Sequence, residues 1–109
     1  MNLTEIEYSV IARAAVSDAG IRLQAPKIKV QRREHTGVGL YTHFEPITVS
    51  IEERAEKIGP AYQYRLFSDA LPHGGGVIVW VSEAGIADCL EFYSHIEDFP
   101  EQEFKATIE

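Results

Sequence analysis

The chain is poor in cysteine, in long apolar runs and in basic side chains, and each shortage removes a class of protein. Cys89 is the single cysteine in 109 residues, so no internal disulfide forms, which fits a reducing, cytoplasmic setting. The longest apolar run is Val77 to Val81, far short of the ~20 residues a membrane helix needs. The first residues carry Glu5 and Glu7 without a basic cluster, so neither a membrane span nor a signal peptide is expected. With 10 Lys and Arg against 17 Asp and Glu, the net charge of −7 lacks the cations that neutralise nucleic-acid phosphates. No Cys/His spacing resembles a zinc site and His95 stands alone, so no metal and no cofactor is expected.

What is present reads as one soluble domain over residues 1–109. A hydrophobic fraction of 45% with 25% charged residues is ordinary for a globular chain, and no segment is repeated or low in complexity. Folding a chain of this length removes roughly 65% of its unfolded surface from water, enough for a core without covalent staples.

Residues 4 to 19 predict an amphipathic helix: Thr4 and Glu7 form a capping box, and Ile6, Val10, Ile11 and Ala14 share one side. Gly20 ends it as the left-handed residue of a Schellman motif, with Val16 and Ile21 in contact. After Pro26 the period becomes two. Ile28 and Val30 share one face of a strand, Lys27, Lys29, Gln31 and Arg33 the other, and Val38 to Phe44 alternates likewise. Ser50 and Glu53 form a second capping box, which predicts a short helix ended by Gly59 and Pro60. "YQYRLF" reads as a strand, Ser68 to Gly76 as a nine-residue loop, and "VIVWV" as a central strand covered on both faces. A turn at "SEAG" leads to the strand "IADCLEFYS", and "EFKATIE" alternates Phe104, Ala106 and Ile108. This order predicts an α+β domain, an N-terminal helix packed on an antiparallel sheet of about five strands in hairpins.

"HTGVGLYTHF" raises the question of a phosphate loop or a metal pair. A strand follows it, whereas phosphate loops deliver the anion to a helix N-terminus. The residues therefore form a hairpin, for which two registers compete. A two-residue turn at Thr36-Gly37 pairs Val30 with His43 and Ile28 with Glu45, setting charge against aliphatic side chains. A three-residue loop, His35 to Gly37, pairs Val30 with Thr42 and Ile28 with Phe44, with Gly37 left-handed beside a G1 bulge. The second is preferred, and it gathers Lys29, Arg33, Tyr41 and His43 on a polar face. His35 at the tip then lies roughly 15 to 20 Å from His43, too far to share an ion.

Four further features bear on function. His73 with Gly74, Gly75 and Gly76 forms a candidate ligand loop, the imidazole serving as acid or base and the glycine amides as anion donors. Cys89, in an alternating apolar strand, is expected to be core packing rather than a nucleophile. Arg32 shares the face of Ile28 and Val30, so its head must reach the sheet rim or a carboxylate such as Glu34, Asp88 or Glu91. Late in the chain, Glu97, Asp98 and Glu101 accumulate beside Tyr93 and Phe99, a combination suited to a protein-binding patch.

Arg33-x-x-Thr36-Gly37-x-Gly39, then Gly76 leading a hydrophobic strand, then Leu90-Glu91-x-Tyr93-Ser94 and Pro100 together resemble a pattern in small bacterial α+β domains of uncharacterised role. Domains of this size and charge are also similar to immunity proteins of bacterial toxin systems. That resemblance implies a protein partner, such as a toxin, and brings no catalytic residues. The residues themselves favour a non-enzymatic interaction module that binds a protein partner or a second copy through an acidic and aromatic surface. The alternative is a small-molecule-binding protein or enzyme using the His73 loop.

Overall fold

Thr4 begins the fold as anticipated: its hydroxyl accepts from the Glu7 amide at 3.3 Å, and the Glu7 carboxylate accepts from the Thr4 amide at 2.8 Å. In the structure, a computed structural model describing residues 1–96 and 98–109, helix α1 runs from Glu5 to Ser17. It does not end on Gly20. Asp18 is extended, and its carboxylate accepts from the amides of Gly20 and Ile21, so it caps a second helix, α2 (Ala19–Gln24). The expected Schellman contact is absent: Ile21 is buried and Val16 is 75% exposed. Gly20 is required for space instead, since a Cβ there would lie 1.9 Å from the Arg54 carbonyl oxygen.

The described residues form six strands, β1 (Val30–His35), β2 (Gly39–Phe44), β3 (Gly59–Ser68), β4 (Leu71–Val81), β5 (Ala87–Ser94) and β6 (Thr107–Ile108). They make one antiparallel sheet in the order β1-β2-β5-β4-β3-β6, with α1 packed on one face. The α+β class and hairpin construction match the expectation, with one strand more. Val10, Ile11 and Ala14 of α1 and Ile21 of α2 meet Val77, Val79, Leu90 and Phe92 to form the core. The opposite face is not part of that cluster. Ile78 and Trp80 lie there, half-buried, so β4 is central but covered on one face only.

The β1–β2 register differs from both alternatives. Val30 faces Phe44 and Arg32 faces His43, so Gln31 is the extra residue of a bulge and every later side chain on β1 changes face. Arg33 thereby faces Thr42 on the core side, while Arg32 moves outward to Glu34. Gly37 does take a left-handed φ of 84°, within a connection over residues 36–38. The cause is tertiary: the Gly37 carbonyl accepts from the Phe99 amide and the Val38 carbonyl from the Ser94 amide.

Two other segments also follow distant partners. Only half of the Ser50–Glu53 box forms: the Ser50 amide donates to the Glu53 carboxylate, but the Glu53 amide donates to the Ser50 carbonyl rather than to its hydroxyl, and no helix grows from it. The Glu53 carbonyl accepts from Gln24 Nε2, the Ala55 amide donates to the Gly85 carbonyl, and the Glu56 amide donates to Asp18, so backbone groups that a helix would use are engaged elsewhere. The nine-residue loop is instead a two-residue turn, with Ser68 facing Leu71, followed directly by β4. Gly75 and Gly76 have ladder partners on β3 and β5. Tyr93 explains Gly76: a Cβ there would come 2.2 Å from the phenol oxygen.

Candidate functional site

Glu7 falls on the core stripe of α1, where a lone carboxylate would be costly to bury. It is 1% exposed and fully partnered. Arg33 grips it twice, Nε to Oε2 at 2.9 Å and Nη2 to Oε1 at 2.7 Å, and the Thr42 hydroxyl donates to Oε2 at 2.6 Å. With the Thr4 amide, four donors from the start of α1, β1 and β2 converge on one carboxylate. Burial pushes the carboxyl pKa up, but the hydrogen bonds from Arg33, Thr42 and Thr4 and the guanidinium charge outweigh it and hold Glu7 below the ordinary carboxylate range.

Beside this pair, between the start of α1, the β1–β2 hairpin and residues 99–104, lies a cavity of about 310 Å³. Ile6, Leu40, Phe92, Phe99 and Phe104 form its apolar wall, with Phe99 and Phe104 edge to face at 5.3 Å between ring centroids. This is the lower end of ligand-pocket volumes, suited to one side chain or a small molecule. Arg33, His35, Glu101 and Glu103 are among its polar lining residues. Because Arg33 is committed to Glu7, the charge left at the mouth is negative. No ion pair among the described residues uses Asp98, Glu101 or Glu103, all of which are exposed. Aromatic faces and exposed carboxylates, of which Glu103 also feels the Arg33 charge, together favour a cation carried on an apolar stem.

The residues expected to act together are divided by the fold. Phe99 is buried, Asp98 and Glu101 flank it in the exposed segment, and Tyr93 points to the opposite sheet face, against Gly76 and edge-on to His95. Glu97 lies outside the described residues. The polar hairpin face is also divided: Tyr41 and His43 stack on the open face and His43 bonds Glu34 at 3.0 Å, Lys29 reaches towards Asn2, and Arg33 turns inward to Glu7. His35 and His43 lie on opposite faces by strand alternation.

His73 is exposed on β4 next to Gly74, whose φ is 80°. Gly75 and Gly76 are buried in the sheet, where their amides serve the ladder rather than an open loop. Cys89 lies across from His43, a pairing reminiscent of nucleophilic sites, but burial, with the charges of Asp88 and Glu91, pushes its thiol up to about 12, so it is a poor thiolate. No group of three or more His, Cys, Asp or Glu side chains among the described residues is placed to hold a metal ion, and no helix there is long and apolar enough to cross a membrane.

The central residues, Glu7, Thr42, Leu40, Phe92 and Phe104, were not singled out as a site from sequence. One signal was present: Glu7 is spaced with Val10, Ile11 and Ala14 on the apolar stripe, so it had to meet a cation or several donors. The partner's identity depended on the Gln31 bulge. No protein-family model, no curated protein and no solved structure matches this chain.

Proposed function

We propose that this domain is a non-enzymatic protein-interaction module whose acid-rimmed, phenylalanine-lined cavity receives a basic side chain from a protein partner. The observation that carries the reading is the pairing of an apolar wall with exposed carboxylates at Glu101 and Glu103, while the guanidinium in the wall is hydrogen-bonded to Glu7. A Lys or Arg stem fits against Phe99 and Phe104 with its charge at the rim. The net charge of −7 steers such a partner towards the protein, and the resemblance to immunity proteins is in keeping with a toxin as that partner.

The test is binding to arrayed peptides in which one Lys or Arg sits among apolar residues, with matched Glu-substituted peptides, at low and high salt. Basic peptides bind in preference, and salt weakens them. The triple variant Asp98→Lys, Glu101→Lys, Glu103→Lys loses about tenfold or more in affinity, on the order of 1.4 kcal/mol, with an unchanged melting temperature. Equal binding of acidic and basic peptides, or indifference to the triple reversal, would refute the reading.

A further inference from the structure

Helix α1 is apolar on two sides. One side makes the core, against which Ala15 is also partly packed, whereas Tyr8 (64% exposed), Ala12 and Val16 (75% exposed) lie on another, spaced as a second stripe. They border an apolar depression of about 450 Å³, closed on its far side by Arg22, Ala25 and Pro26. None of its lining residues belongs to the acidic cavity. A helix exposing this much aliphatic and aromatic surface is incompletely covered.

The charges on this stripe point to the occupant. Glu5 precedes Tyr8 by three residues and Ala12 by seven, so it marks the N-terminal end of the stripe. At the other end the Arg22 guanidinium donates to the carbonyls of Ala15 (3.1 Å) and Val16 (3.4 Å) and remains exposed. Opposite charges at the two ends of one apolar stripe are self-complementary when a second stripe is laid antiparallel to the first. A two-fold axis at Ala12 sets Tyr8 of each copy against Val16 of the other, since the two are equally distant from it, and brings each Glu5 towards the other copy's Arg22. Ala12 at the axis has no bulk to hold the helices apart. The patch also avoids the acidic segment that would oppose association of two copies of charge −7.

We propose that α1 pairs antiparallel with α1 of a second copy of this chain, about a two-fold axis at Ala12. Sedimentation of the full chain over a concentration series then gives a monomer–dimer equilibrium. Val16→Glu raises the dimer Kd by about a hundredfold or more, because it buries a carboxylate without a partner. Glu5→Arg and Arg22→Glu each weaken the dimer by about tenfold, and the double exchange restores it. Arg22 also closes the end of α1, so thermal melts of each variant report whether folding is retained. Independently of those charges, Ala12→Cys in a Cys89→Ser background forms a disulfide-linked dimer under mild oxidation, since only a residue at the axis meets its own counterpart. A monomer at every concentration, a dimer indifferent to Val16→Glu, a double exchange no better than its singles, or failure of the Ala12→Cys chains to cross-link overturns the proposal.

Discussion

Asp18 and Glu7 are both carboxylates removed from water on the helical side of the sheet, and their surroundings differ in kind. Asp18 accepts from three backbone amides, those of Gly20, Ile21 and Glu56, and from the Tyr62 hydroxyl at 2.7 Å, with no cation among the described residues bonded to it. Burial, with the hydrogen bond to Asp18, raises the Tyr62 pKa, so the phenol stays a donor. Around it the chain is packed backbone to backbone, and Gln24 bonds the Glu53 and Gly85 carbonyls and the Ala87 amide. Glu7 is held mainly by side chains, of which Arg33 borders the 310 Å³ cavity. A carboxylate secured by amides fixes the chain path, whereas one secured by a guanidinium at a cavity wall shapes a surface. The Asp18 end is therefore a joint, and the Glu7 end is where a ligand has room.

The largest effect should come from the joint. Asp18→Ala removes a helix cap and leaves the part-buried Glu56 amide and Tyr62 hydroxyl without that acceptor, a loss of about 3 to 4 kcal/mol in denaturant-induced unfolding. A loss below that of Glu7→Ala would reverse the comparison.

Glu7→Ala comes next, at about 2 to 3 kcal/mol, reduced from the cost of a fully buried pair because Arg33 is partly exposed and can turn to water. The pH dependence has a definite sign. Since the folded-state pKa of Glu7 lies below its unfolded value of about 4.3, its contribution is present above that pH and disappears as pH falls through the folded value. Unfolding free energies measured against pH should show the wild type losing its advantage over Glu7→Gln below about pH 4.

The smallest effects compare space at the two ends. Gly20→Ala drives a Cβ into the Arg54 carbonyl and should cost about 2 kcal/mol. Leu40→Phe, which adds volume beside the cavity, should change stability by less than about 1 kcal/mol while abolishing binding of basic peptides. Equal destabilisation by both variants would mean that the cavity is not usable space.

Several parts of this arrangement were legible in the residues. Thr4-x-x-Glu7 marked the start of α1, the pleat-suited residues of β3 marked a strand, and alternation marked β2 and β5. Other signals pointed to a local purpose that a distant contact replaced. Gly20 resembled a helix stop but makes room for residue 54, and Gly75 and Gly76 resembled a loop but lie under and beside Tyr93. Ser50 and Glu53 resembled a helix start, but Gln24, Asp18 and Gly85 claimed the backbone that follows. The site was divided in the same way: the acidity of residues 98–103 was readable, while the burial of Phe99 and the outward turn of Tyr93 were not.

By itself the sequence determined the class of the domain, its hairpin order, the capped start of α1 and an acidic surface, because each follows from periodicity, capping chemistry or composition over short stretches. Only the tertiary structure decided which arginine meets Glu7. Arg32 and Arg33 are adjacent and chemically identical, and the choice rests on Gln31 bulging from β1 as the hairpin tip extends to give its carbonyls to Ser94 and Phe99. A shift of one residue exchanges the two faces of a strand, and the contacts that set it lie some sixty positions away along the chain.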